Sequence, residues 1–144
     1  MGRIFVIDEV NLAICRVVGL YGVPESPRAA RELTNVESGE LVFFYTTDSK
    51  RIYGIYRTKS LAYTEDHPER GPWISRPKDR RMKFYPFRIE IEPVQAYEKA
   101  LGGRELRKFG RGLTQQRIRR GSSVVYIDQK DTEKLAMVLK EGNE

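Results

Sequence analysis

The sole tryptophan of the chain, Trp73, stands in the run Gly71-Pro72-Trp73-Ile74, and five cations follow it between Arg76 and Lys83. An aromatic ring beside arginines can stack a nucleobase while the guanidinium groups hold its phosphate. The plainer alternative is that Trp73 plugs the core beneath a loop. A second cationic stretch runs from Arg104 to Arg120, with seven cations and one anion, which equals the whole net charge of +6. The rest of the chain, outside these two stretches, is therefore net negative. Concentrated arginine is the footprint expected for a phosphate backbone, because its planar fork binds phosphate bidentately. The candidate phosphate contacts are Arg76, Lys78, Arg80, Arg81, Arg111, Arg117, Arg119 and Arg120. A solvated basic face is the alternative for these residues.

Other chemistries find little support. One cysteine, Cys15, excludes an internal disulfide framework and a cysteine-based zinc site, and fits a reducing compartment. One histidine, His67, excludes paired-histidine metal ligation. No P-loop, no Ser-His-Asp arrangement and no Gly-x-Gly-x-x-Gly motif after a strand can be found. Glu65, Asp66 and Glu69 lie together without metal-ligand spacing and read as solvated. A small nucleotide-directed enzyme would have only His67, Glu65 and Asp66 as acid or base. No apolar run approaches the roughly 18 residues of a membrane span, and the N-terminus has no signal-peptide pattern. The expectation is a cytoplasmic, monomeric binding protein without catalytic residues, cofactor or metal.

The elements that must position these residues are legible in outline. At 144 residues, 40% hydrophobic and 32% charged, the chain suits one domain, residues 1–144. Its centre is a hairpin from Glu40 to Thr58. Leu41–Tyr45 reads as a strand buried on both faces. Its partner holds Gly54, which marks a bulge or a close approach to the backbone. Arg3–Asp8 reads as a strand. Leu12–Gly19 reads as a helix with Asn11 as candidate cap, Leu12 and Cys15 at one helical spacing, and Ile14, Val17 and Val18 at another. Leu20–Pro24 reads as a loop, and Ser26-Pro27 opens a short helix ending near Leu33. Lys59–Arg81 is a long loop. Met82–Glu92 is a strand with Phe87, Ile89 and Ile91 buried and Arg88, Glu90 and Glu92 wet. Val94–Leu101 reads as a short helix stopped by Gly102-Gly103. Ser122–Ile127 is a further strand, and Asp131 caps a last helix with Leu135, Val138 and Leu139 on one face.

The ordered set Arg-Ile-Phe-Val-Ile, Tyr-Gly-Val-Pro, Ser-Gly-Glu-Leu-Val-Phe-Phe-Tyr, Ile-Tyr-Gly-Ile-Tyr, the Trp73 loop and Phe-Tyr-Pro-Phe-Arg-Ile-Glu-Ile resembles the EVE and YTH-type domains of the PUA-like superfamily, archaeal EVE-type members in particular. The resemblance implies an α+β fold, a curved and partly closed β-barrel flanked by helices. It also implies a reader of a modified base, N6-methyladenine in RNA for YTH domains, held in an aromatic cage. Residue by residue, Tyr21 and Trp73 match the cage aromatics, Met82 the third apolar wall, Asn11 the polar residue on the base edge and Gly22 the carbonyl next to the first aromatic. Tyr21 stands where the family usually has tryptophan. The resemblance thus implies nucleic acid as partner, RNA rather than DNA. A modification-blind RNA-binding module remains the alternative.

Overall fold

Apolar residues on both faces of one curled sheet organise the chain. The elements are β1 (Gly2–Ile7), α1 (Glu9–Val18), β2 (Leu20–Val23), α2 (Pro27–Thr34), β3 (Leu41–Thr46), β4 (Arg51–Thr58), β5 (Tyr63–Thr64), β6 (Phe87–Pro93), α3 (Gly103–Arg107), β7 (Val124–Ile127) and α4 (Gln129–Gly142). They are seen in a computed structural model that describes residues 2–67, 71–73, 85–107 and 123–144. The sheet order is β2-β6-β4-β3-β1-β7, with β5 added on β6. β1 and β3 run parallel, and every other pairing is antiparallel. This mixed, curled sheet with flanking helices is the α+β, partly open barrel expected from the sequence.

The expected hairpin is present and central. Period-two alternation sends Val42 and Phe44 into one core and Phe43 into the other. Full burial of each phenylalanine contributes about 1.5–3 kcal/mol. The register shifts between Val42 and Phe44, opposite the stretch that holds Gly54. A Cβ on Gly54 would lie 2.8 Å from both Phe43 Cδ1 and Leu139 Cδ1. The glycine is there because core side chains press on its backbone. The first core, with Phe5, Leu12, Cys15, Tyr21, Leu33 and Phe44, is covered by α1 and α2. The second, with Ile4, Phe43, Ile52 and Ile127, is closed by Leu135 and Leu139 of α4.

Several expectations need correction. Leu20–Val23 is a strand, not a loop, because it pairs with Phe87–Glu90 of β6. Val94–Leu101 is not a helix. The Val94 and Gln95 amides donate to Ile55 O, and Tyr97 N–H donates to Gly54 O, so the segment bonds mainly along β4 and forms no helical ladder. Both aspartate caps lie three residues before the expected position. Asp8 rather than Asn11 caps α1, and Asp128 rather than Asp131 caps α4, each carboxylate accepting the N–H three residues on. Leu12 and Cys15 are buried as expected, but Val17 is 86% exposed. The long loop contains the short strand β5. Ser26 caps α2 with Pro27 at its first position, as read from the sequence.

One contact closes the curl. Tyr21, on β2 at one end of the sheet order, directs its hydroxyl at Val6 O of β1 (3.0 Å) and Ser123 O beside β7 (2.8 Å). Its ring stacks on Phe5 at 4.3 Å between centroids. Glu32 of α2 holds the same corner, accepting the Ser123 and Val124 amides at 3.1 Å each. Two outcomes are expected in denaturant unfolding. Tyr21→Phe removes the donor shared by two carbonyls and lowers stability by about 1–3 kcal/mol; an unchanged midpoint would deny the hydroxyl its role as a strut. Gly54→Ala overpacks a filled core and costs about 1–3 kcal/mol, with a lower midpoint at an unchanged slope.

Candidate functional site

The cap of α1, strand β2 and the residues before β6 converge around a cavity of about 310 Å³. Its lining includes Asp8, Asn11, Tyr21, Gly22, Thr47, Trp73, Tyr85 and Ser123. The size is at the lower end of the range of roughly 300–1,000 Å³ typical of small-ligand sites. Four residues singled out in the sequence, Asn11, Tyr21, Gly22 and Trp73, thus come together from three separate segments. The rest of the expected set, Met82 and the cations Arg76, Lys78, Arg80, Arg81, Arg111, Arg117, Arg119 and Arg120, lies outside the described residues.

Trp73 is seated by contacts on several sides. A Cβ on Gly22 would fall 2.9 Å from Trp73 Cη2 and 3.0 Å from Cζ3, so the absence of a side chain at Gly22 makes the seat. The indole N–H donates to Cys15 Sγ at 3.1 Å. The guanidinium of Arg88 lies 4.9 Å from the Trp73 ring centroid, within cation–π range. Tyr85 meets the tryptophan at 5.6 Å between centroids, with the rings tilted by 55°. Arg88 is pinned in turn. Its Nε donates to Tyr85 O at 3.0 Å and its Nη1 to the Glu65 carboxylate at 3.3 Å. The alternation of β6 predicts a wet Arg88, yet the residue is 4% exposed because Trp73 lies across it.

Burial shifts three of the titratable groups here. Burial pushes the Cys15 thiol up to about 12, so it is a packing and accepting group and not a nucleophile. Burial also raises Tyr21 well above the usual phenol range, and its hydroxyl stays protonated as a donor. Tyr85 is raised by burial and, further, by the charge of Asp8. Asp8 receives the Asn11 amide proton at 3.3 Å and Asn11 Nδ2–H at 2.7 Å. Asn11 therefore buttresses the cap instead of serving as it.

Tyr21 and Trp73 both line the cavity and both belong to the first core, at 1% and 9% exposure. Phe5 covers one face of Tyr21, which makes that ring a floor. Trp73 and Tyr85 stand at the side. Sequence reasoning missed Asp8, Tyr85 and Thr47 as lining residues and Arg88 as the residue packed against Trp73. Tyr85 was within reach, since it lies in the Phe84-Tyr85-Pro86-Phe87 run that carries the resemblance. Of the acid–base candidates, neither His67, Glu65 nor Asp66 lines the cavity. Among the described residues no group of His, Cys, Asp and Glu is arranged to hold a metal ion, and no helix is long and apolar enough to cross a membrane.

The chain matches the EVE domain over residues 6–138. No curated protein matches its sequence. Solved structures share the fold at low identity. A Pseudomonas putida protein is 18% identical with a TM-score of 0.67, covering 96% of this chain and 99% of that one. Human THYN1, solved in complex with DNA containing 5-methylcytosine, is 15% identical with a TM-score of 0.65, covering 99% of this chain and 98% of that one. The YTH domain-containing protein mmi1, in a complex with RNA, is 10% identical with a TM-score of 0.64, covering 98% of this chain and 83% of that one. With the family match extending from β1 into α4, this chain belongs to the EVE domain family.

Proposed function

We propose that the chain is a nucleic-acid reader that takes a single methylated base, N6-methyladenine or a base like it, into the cavity between α1, β2 and Tyr85. The observation that carries this reading is the convergence of Asn11, Tyr21, Gly22 and Trp73 on one space of about 310 Å³. The likeness to THYN1 with methylated DNA and to mmi1 with RNA supports it. Of the two cage aromatics that the resemblance implies, Tyr21 has its role set by the packing. Phe5 and the two carbonyls hold Tyr21 fast, so this ring forms the floor, with Trp73 and Tyr85 as walls. Met82 is proposed as a further apolar wall. The cations of 76–83 and 104–120 supply phosphate contacts, with RNA preferred over DNA. No residue is assigned a catalytic role.

The energetics set the size of the effects. Stacking contributes about 1–3 kcal/mol per base, and burying one methyl adds about 0.8 kcal/mol. Discrimination by a snug apolar pocket stays within about 1–3 kcal/mol per methylene, so a methyl preference near tenfold is expected. It is measured by titrating single-stranded RNA and DNA oligonucleotides that carry one N6-methyladenine or 5-methylcytosine against unmodified controls. Trp73→Ala is expected to abolish the preference and to weaken binding about 10- to 100-fold. Equal affinity for methylated and plain strands, unmoved by Trp73→Ala, would leave a modification-blind binder. Neutralising Arg117, Arg119 and Arg120 together is expected to flatten the dependence of log affinity on log salt by about 2, with the methyl preference intact. An unchanged slope would remove these three from the phosphate contacts.

A further inference from the structure

We propose that Asp8 makes the cavity selective for bases that carry an exocyclic amine, namely adenine, cytosine, guanine and their methylated forms, over uracil and thymine. The inference rests on the base-binding reading above and adds the property of the base that is read. Asp8 is the one carboxylate among the described lining residues, and no lysine or arginine is among them. Among the described lining residues a phosphate would meet a carboxylate and no cation, whereas a base can offer that carboxylate a donor.

The carboxylate is held in place. Asn11 donates to it twice, from the backbone at 3.3 Å and from Nδ2 at 2.7 Å. An ionised carboxylate has about four lone-pair sites and no proton to give, so two acceptor sites remain beyond the Asn11 contacts. An amine offered there makes a charge-assisted hydrogen bond, and carboxylates pair with the cytosine amine in just this sense. A carbonyl oxygen offered in its place meets a fixed negative charge and gains nothing. The Tyr21 hydroxyl cannot compensate by donating to that carbonyl, because Val6 O and Ser123 O already take its proton. The hydroxyls of Thr47 and Ser123 can donate or accept, and so favour neither class of base.

The test uses base pairs that exchange an amine for a carbonyl on the same ring: adenosine against inosine, and cytidine against uridine, each at the centre of an otherwise identical single-stranded RNA. The wild-type chain is expected to bind the amine member about 10- to 100-fold more tightly. Asp8→Asn keeps a good helix cap but exchanges one acceptor for a donor, and is expected to shrink the ratio to under about threefold. Asp8→Ser, which also caps, removes the carboxylate and is expected to do the same. A wild-type ratio near one, with binding still dependent on Trp73, would overturn this inference and leave the base-binding reading standing. A large ratio untouched by both Asp8 variants, with their melting temperatures near wild type, would overturn the assignment to Asp8. Binding of no strand in a Trp73-dependent way would overturn both.

Discussion

A single tyrosine hydroxyl joins the two ends of the curled sheet. Tyr21 hangs from β2, yet its oxygen meets carbonyls on β1 and beside β7, at the far end of the strand order. With the ring stacked on Phe5 and edge-on to Phe44, the side chain spans the interior like a crossbar. Buried carbonyls need donors, and here the donor comes from the opposite edge of the sheet. This one constraint fixes the distance between β2 and β1, and hence the width of the space above them. It also means that the residue cannot serve as a mobile wall. The cavity is rigid at its floor because the floor is part of the core.

Above that floor the packing forms a chain of dependencies. Gly22 has no side chain, so Trp73 can lie against β2. Trp73 lies there, so Arg88 can be buried beneath an aromatic ring. Arg88 is buried, so it needs the Tyr85 carbonyl and the Glu65 carboxylate. A buried guanidinium left without partners would be costly, so the loop that brings Glu65 and the strand that brings Tyr85 are tied to the same site. Asp8 and Asn11, at the cap of α1, complete the described lining. The outcome, among the described residues, is a small space with an apolar floor, aromatic sides and one anionic edge.

Much of this was legible in the sequence wherever local rules and tertiary structure agree. The β3–β4 hairpin follows from an unbroken apolar run bounded by turn residues. The Ser26-Pro27 start of α2 and the Leu135–Leu139 face of α4 follow from capping and helical spacing. Failures occurred where distant partners decide. Leu20–Val23 is four residues with a central glycine, and only Phe87–Glu90, far along the chain, makes it a strand. Val94, Tyr97 and Leu101 are spaced as on a helix, but the amides of this segment are drawn to Gly54 and Ile55. The expected caps, Asn11 and Asp131, each lie inside the first turn of their helix, whereas the capping aspartate stands three residues earlier. At the site, Trp73 stands out by its neighbouring arginines, and the family resemblance adds Asn11, Tyr21 and Gly22. It gave no sign of Arg88, whose burial is invisible to strand alternation because the covering ring arrives from another segment.

Because Trp73 is the only tryptophan, its emission reports on the proposed site without any label. Titration of the chain with a single-stranded oligonucleotide bearing one N6-methyladenine, followed by intrinsic fluorescence, is the most direct measurement. A base stacked against this ring is expected to quench it in a saturable way, with a midpoint equal to that of the binding curve obtained from the labelled strand. Binding seen on the strand while the tryptophan emission stays constant would place the nucleic acid elsewhere on the protein and contradict the account.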